Sequence, residues 1–187
     1  MKRFDALEVI ASLTMDLPVV VTCAASSREL ASIADCPNHL YLLDSMGLAG
    51  SMGTGIALAD PRLPRVVTIE GDGSLLMNPN VLPTGGYLAP PNLTLVLLDN
   101  GVYGATANLP TYTGRVDLGG IAEAAGWTVR RAGTPEDLRR AFTFSLTVYG
   151  PVFLHVLLEV GNATGIPKLL EDPVVLGRRF SDWLASR

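Results

Sequence analysis

Two side chains suited to a hard cation, the carboxylate of Asp72 and the amide of Asn100, each stand just past the end of an apolar run. The runs, residues 66–69 and 93–98, are short, β-branched or leucine-rich, and bounded by turn residues. That is the pattern of parallel strands buried on both faces. The first empties into Glu70-Gly71-Asp72-Gly73-Ser74 and the second into Asp99-Asn100-Gly101. Twenty-five residues separate Gly73 from Asp99, room for a helical crossover with its two loops. As parallel neighbours, the two strands bring both polar clusters to one carboxyl edge, where open α/β sheets bind ligands. There Asp72 and Asn100 converge, while Gly71 and Gly73 let backbone N–H groups approach an anion at the next helix start. The spacing therefore predicts a site for a magnesium-bound phosphate or diphosphate.

The elements that must hold these loops alternate along the chain. Residues 4–15 carry Phe4, Leu7, Ile10, Ala11 and Leu13 near helical spacing and read as an amphipathic helix. Residues 17–22 form a first buried strand. Ser26 or Ser27 then caps a helix starting near Arg28, and both hydroxyls also stand where an anion would meet them; capping alone and capping with ligand contact stay open. A short strand spans 40–43. The small-residue stretch 44–59 is interleaved with Met46, Leu48, Met52, Ile56 and Leu58, which marks a helix held by close backbone packing rather than a linker. Pro79, Pro83, Gly85-Gly86 and Pro90-Pro91 predict a short or broken helix between the two site strands, with Pro83 in its interior. Residues 105–114 read as a loop over the site, 118–126 as a helix and 127–131 as a strand. Thr134-Pro135-Glu136-Asp137 opens a helix running to about Tyr149, 151–158 is the last buried strand, and Asp172-Pro173 opens a final helix. Strand–helix alternation gives an α/β fold, a three-layer arrangement of one largely parallel sheet with helices on both faces, in a single domain over residues 1–187.

Composition narrows the partners. The net charge of −4 provides no electrostatic footprint for nucleic acid, and no Lys/Arg cluster suits an anionic membrane surface. No apolar run reaches the roughly 18 residues a membrane span needs. Asp5, Glu8 and Asp16 interrupt the stretch after Met1-Lys2-Arg3, so no secretory leader is expected and the expected location is cytoplasmic. Cys23 and Cys36 read as buried or idle thiols, His39 as part of a surface turn after Pro37-Asn38, and His155 as a satisfied core residue.

Gly71-Asp72-Gly73-Ser74 after one strand and Asp99-Asn100-Gly101-Val102-Tyr103-Gly104 after another resemble the diphosphate-binding domain of thiamine diphosphate enzymes. That family's fingerprint is Gly-Asp-Gly, a spacer in the mid-twenties, then Asn-Asn or Asp-Asn. Within it, Ser27-Arg28-Glu29-Leu30, Leu43-Asp44-Ser45-Met46-Gly47-Leu48-Ala49 and Gly161-Asn162-Ala163 are similar to sulfopyruvate decarboxylase β subunits and to the C-terminal half of phosphonopyruvate decarboxylases. The resemblance implies thiamine diphosphate and Mg²⁺ as cofactors. Asp72, Asn100 and the Val102 carbonyl would be the metal ligands, and Gly71, Gly73 and Ser74 would meet the diphosphate. It implies that Met46 props the two cofactor rings, that the Asp44 carbonyl accepts from the 4′-amino group, and that Ser26, Ser27, Ser45, Tyr103 and Gly104 complete the cofactor contacts. Asp44 departs from the family's usual glycine, and Ala107-Asn108-Leu109-Pro110-Thr111 from its polar run where substrate would be read.

The resemblance also implies what is absent from this chain. The glutamate that activates the cofactor belongs to a pyrimidine-binding domain, so no catalytic residue is expected here and a separate α subunit in a hetero-oligomer would supply it. The implied reaction converts a small anionic 2-oxo acid, 3-sulfopyruvate or 3-phosphonopyruvate, to the aldehyde and CO₂. Arg28 is one candidate cation for such a substrate, against the plainer reading of a solvated arginine. An acetolactate-synthase-like carboligase half, a non-catalytic thiamine diphosphate-binding regulatory subunit and a dinucleotide-binding fold are the rivals; the last lacks the G-x-G-x-x-G spacing.

Overall fold

In the computed structural model, which describes residues 1–187, six strands form one sheet in which every pairing is parallel. In chain order the strands are β1 (Val19–Val21), β2 (His39–Tyr41), β3 (Val66–Gly71), β4 (Leu93–Asp99), β5 (Val102–Tyr103), β6 (Leu109–Pro110), β7 (Thr128–Ala132) and β8 (Val152–Leu157). The sheet runs β2-β1-β3-β4-β8-β7, and β5 and β6 form a separate antiparallel hairpin just past β4. The helices are α1 (Arg3–Leu13), α2 (Ala25–Ile33), α3 (Ala49–Ala59), α4 (Asp72–Leu75), α5 (Val81–Leu88), α6 (Leu118–Ala124), α7 (Pro135–Ser145) and α8 (Pro173–Ala185). None is long and apolar enough to cross a membrane.

Alternate residues of a strand face opposite sides, and here both sides are covered. Val96 and Leu98 of β4 pack with Leu7 and Ile10 of α1, Leu30 of α2 and Phe142 of α7. Leu95 and Leu97 of the same strand pack on the other face with Leu82 of α5, Ala122 of α6 and Trp127. This double burial is why residues 66–69 and 93–98 read as predominantly apolar runs, with Thr68 and Thr94 buried among the aliphatic side chains. Truncating the fully buried Phe142 to alanine would cost about 3–5 kcal/mol. The glycine-rich α3 is held as its composition predicts: a Cβ on Gly53 would lie 1.9 Å from Thr68 Cγ2 of β3, so helix and sheet meet backbone to side chain.

Three local readings are corrected. His39 is not in a surface turn: it opens β2, is buried, and its Nδ1 lies 3.2 Å from the Tyr41 hydroxyl. Neither Ser26 nor Ser27 caps α2, which starts earlier, behind an N-cap at Ala24 whose φ of +66° is rare for a residue with a side chain. Pro83 is not in a helix interior, because α5 begins at Val81 and places it in the first turn, where its missing N–H had no intrahelical partner. The helix is short, as predicted, and Gly86 lets it dock; a Cβ there would lie 1.7 Å from the Ala125 carbonyl oxygen. The expected caps of the last two helices stand: Thr134 accepts from Asp137 N–H at 3.1 Å and Asp172 from Val174 N–H at 2.7 Å.

Candidate cofactor site

The register that aligns Gly71 of β3 with Leu98 of β4 puts the two polar clusters side by side at the carboxyl edge. Together with the end of β1 they enclose a cleft of about 240 Å³. Ten of the residues expected from the sequence line it: Ser26, Met46, Gly71, Asp72, Gly73, Ser74, Asn100, Val102, Tyr103 and Gly104. Three do not. Ser27 turns its hydroxyl inward, donating to the Thr22 carbonyl at 2.5 Å, while Asp44 and Ser45 lie outside the lining. Asp44 borders a neighbouring groove with Arg28, whose Nε donates back to the Ala24 carbonyl at 3.3 Å, so Arg28 does not reach the cleft.

Asp72 is 3% exposed and begins the short helix α4. Burial pushes its carboxyl above the usual range; the Thr111 hydroxyl, donating to Oδ2 at 2.6 Å, opposes this, and the nearby Asp99 charge adds to it. Asp99 goes the other way. Its burial is outweighed by hydrogen bonds from His155, Nε2 to Oδ2 at 2.8 Å, and from Thr113 to Oδ1 at 3.0 Å, which hold it below the usual range. His155 is thus satisfied on one nitrogen only, for Nδ1 is buried without a partner. Thr111 and Thr113, 3.0 Å apart, join the two carboxylates.

The hairpin sets the third oxygen. Gly101 accepts from Thr111 N–H at 2.9 Å, so by antiparallel alternation Val102 and Pro110 form the pair without mutual hydrogen bonds. The Val102 carbonyl therefore points away from β6, and Pro110 sits where no donor is needed. Asn100 Oδ1 accepts from Val102 N–H at 3.2 Å, tightening the turn. No group of three or more His, Cys, Asp or Glu gathers to hold a metal anywhere in the chain. The oxygens available at this edge are instead a carboxylate, an amide and a carbonyl, a mixed hard set that fits Mg²⁺ shared with phosphate oxygens.

Packing explains the second glycine of the motif. A Cβ on Gly73 would lie 2.5 Å from Cδ1 of the Tyr103 ring, so that ring closes over bare backbone. The N–H groups of Gly73 and Ser74, in the first helical turn, precede any intrahelical acceptor and stay available to an anion. The Ser74 hydroxyl does not. It donates to Glu70 Oε2 at 2.5 Å, accepts from Gly47 N–H at 2.8 Å and lies 2.7 Å from Thr22 Oγ1. Glu70, a buried acid whose pKa is raised by that burial, accepts from Gly50 N–H at 3.1 Å and so holds the start of α3. Met46, 40% exposed, is free to meet a ligand rather than filling the core.

Residues 21–156 match the C-terminal TPP binding domain of thiamine pyrophosphate enzymes. The chain belongs to that family. This TPP-binding domain is 44% identical to the sulfopyruvate decarboxylase subunit beta of Methanothermobacter thermautotrophicus, over 96% of this chain and 94% of that one. It is 39% identical to phosphonopyruvate decarboxylase of Streptomyces viridochromogenes, over 95% of this chain and 45% of that one. The crystal structure of benzoylformate decarboxylase from Polynucleobacter necessarius superposes with a TM-score of 0.74 at 20% identity, over 87% of this chain and 34% of that one, a likeness of fold. The sequence thus pointed to a TPP-enzyme fold and to relatives among decarboxylases, and both are found. Glu29, Thr111 and Asn162 stood in stretches that the sequence singled out, but without a role, and Arg3 and Thr113 were not singled out as site residues; their supporting contacts join segments distant in the chain.

Proposed function

We propose that this chain is the diphosphate-binding subunit of a heteromeric, thiamine diphosphate- and Mg²⁺-dependent decarboxylase acting on 3-sulfopyruvate or 3-phosphonopyruvate. The observation that carries the reading is one of coverage. The same 187 residues span nearly all of a relative named as a β subunit and only 45% of a phosphonopyruvate decarboxylase chain. That relative's name as a β subunit supports a partner subunit, from which the expected activating glutamate would come; the cleft itself is lined by one acid, Asp72.

In this reading Asp72, Asn100 and the Val102 carbonyl hold the magnesium, and the N–H groups of Gly73 and Ser74 meet the diphosphate. Tyr103 and Gly73 shape the wall beside it, and Met46 meets the ring portion. When bound, thiamine diphosphate supplies the electron sink for loss of CO₂ from a 2-oxo acid. This chain's residues contribute binding and orientation. Ser74 acts through its backbone, because its hydroxyl is committed to Glu70.

The test is reconstitution with a co-purifying α-subunit-sized protein, assayed with thiamine diphosphate and Mg²⁺ on sulfopyruvate, phosphonopyruvate and pyruvate. Release of CO₂ and an aldehyde from an anionic 3-substituted substrate only when both proteins are present is the expected result. Turnover by this chain alone would refute the split site, and binding of the cofactor without any turnover would favour a regulatory subunit.

A further inference from the structure

Arg3 is the only lysine, arginine or histidine among the residues lining the cofactor cleft. It opens α1, and its side chain is 9% exposed. Glu29, 2% exposed on α2, takes its Nε at 3.0 Å through Oε2 and its Nη2 at 2.6 Å through Oε1. Nη2 also donates to Asn162 Oδ1 at 2.8 Å, in the segment that follows β8. The lock is itself tied down. Glu29 Oε1 accepts from Ala163 N–H at 3.0 Å, and Asn162 Nδ2 donates to the Gly104 carbonyl at 3.2 Å.

A guanidinium carries its N–H donors in one rigid plane, so fixing two edges fixes the third. Glu29 and Asn162 use Nε and both hydrogens of Nη2, leaving the two hydrogens of Nη1 with no protein partner. The side chain is ordered before any ligand arrives, so binding does not have to immobilise it. The cleft otherwise presents the Asp72 carboxylate, in a chain of net charge −4. Arg3, its charge balanced by Glu29, is the one cationic side chain with unpaired N–H groups to offer a polyanion entering it.

We infer that Arg3 is the anion-recognising residue of the cleft, its free Nη1 edge taking an oxygen of a phosphate, phosphonate or sulfonate group. The same chemistry has two sources, the diphosphate tail of the cofactor and the distal group of the substrate; the second rests on the decarboxylase reading above. Arg3→Gln removes the charge, Arg3→Lys keeps it without the fork, and Asn162→Ala frees one edge at an exposed position that should not disturb folding.

The first arm is calorimetry of the full chain with thiamine diphosphate and Mg²⁺. The second is KM of the reconstituted complex for sulfopyruvate and phosphonopyruvate against pyruvate, which lacks the distal anion. A tenfold or greater loss for Arg3→Gln in the first arm, partly restored in Arg3→Lys, assigns the contact to the diphosphate. A tenfold rise in KM confined to the two substrates with a distal anionic group, with kcat and pyruvate KM kept, assigns it to substrate; Asn162→Ala should show a smaller change on the same arm. A folded Arg3→Gln that binds the cofactor within twofold of wild type, and shifts all three substrates equally or none, overturns the inference. Should the wild-type complex turn over neither anionic substrate, the decarboxylase reading fails, and the calorimetric arm decides on Arg3 alone.

Discussion

Thr111 and Asp72, 39 residues apart in the chain, are joined by a 2.6 Å hydrogen bond from the threonine hydroxyl to Oδ2 of the carboxylate. Thr111 belongs to the stretch that departs from the family's usual run, where substrate reading was expected. Its hydroxyl instead faces inward and orients the carboxylate at the centre of the site, and Thr113 does the same for Asp99.

Thr111→Val removes that donor and keeps the shape. A hydrogen bond to a charged group contributes about 1.5–3 kcal/mol, and loss of such support for a metal ligand typically weakens metal affinity about 10–100-fold. Calorimetric titration with Mg²⁺ and thiamine diphosphate should show a loss in that range, with Thr111→Ser near wild type. An unchanged affinity would mean that the hydroxyl contributes only to the hairpin.

The two glycines of the Gly-Asp-Gly motif should respond differently. A Cβ on Gly71 meets nothing nearer than the Leu98 carbonyl oxygen at 4.0 Å, whereas one on Gly73 would run into the Tyr103 ring at 2.5 Å. Gly71→Ala should therefore leave the ligand-free fold close to wild type. Gly73→Ala should displace Tyr103 and weaken binding at least tenfold, and Gly73→Ala with Tyr103→Ala should recover part of the loss. Equal effects of the two single variants would contradict this account.

What was legible in the sequence follows from what is local. β3 and β4 could be read because both their faces are apolar, and the ligand edge followed from the loops directly after them. Helix starts at Thr134 and Asp172 were equally plain, since an N-cap and its following proline are neighbours. The Arg3–Glu29 pair spans 26 residues and the Arg3–Asn162 contact 159, and no periodicity announces either. His39 read as a turn residue because Pro37-Asn38 precede it, and only the packing of β2 beneath α8 overrides that cue. Pro83 was misplaced because the sequence showed that a helix was interrupted but not where it began.

His39 makes stability depend on pH. Burial, outweighing the opposite pull of Asp35, lowers its pKa from 6.5 to about 4, so it folds as the neutral ring. The unfolded chain takes up a proton near pH 6.5 that the folded chain refuses until about pH 4. Its contribution is therefore intact above pH 6.5 and is lost as pH falls through that window, amounting to about 2 kcal/mol by pH 5. Urea unfolding at pH 7.5 and 5.0 should show this drop in wild type and a smaller one in His39→Phe. Parallel drops in both proteins would place the proton uptake elsewhere.

Asp72→Asn should move stability and function in opposite directions. Burial has raised the pKa of Asp72, so the ionised side chain costs the ligand-free fold stability that grows as pH rises through the folded-state pKa. An amide keeps an acceptor for Thr111 and carries no charge to desolvate or to repel Asp99. The ligand-free variant should therefore melt above wild type at pH 8; each 1 kcal/mol gained corresponds to about 2–4 °C for a domain of this size. With Asp72 in the proposed role of magnesium ligand, wild type should melt higher with Mg²⁺ and thiamine diphosphate, and the variant should lose that shift with its carboxylate. Thermal scans of both proteins, with and without magnesium and cofactor, read both effects at once. A variant that melts lower without ligand, or that keeps its magnesium-dependent shift, would show that the Asp72 charge supports the fold rather than a metal.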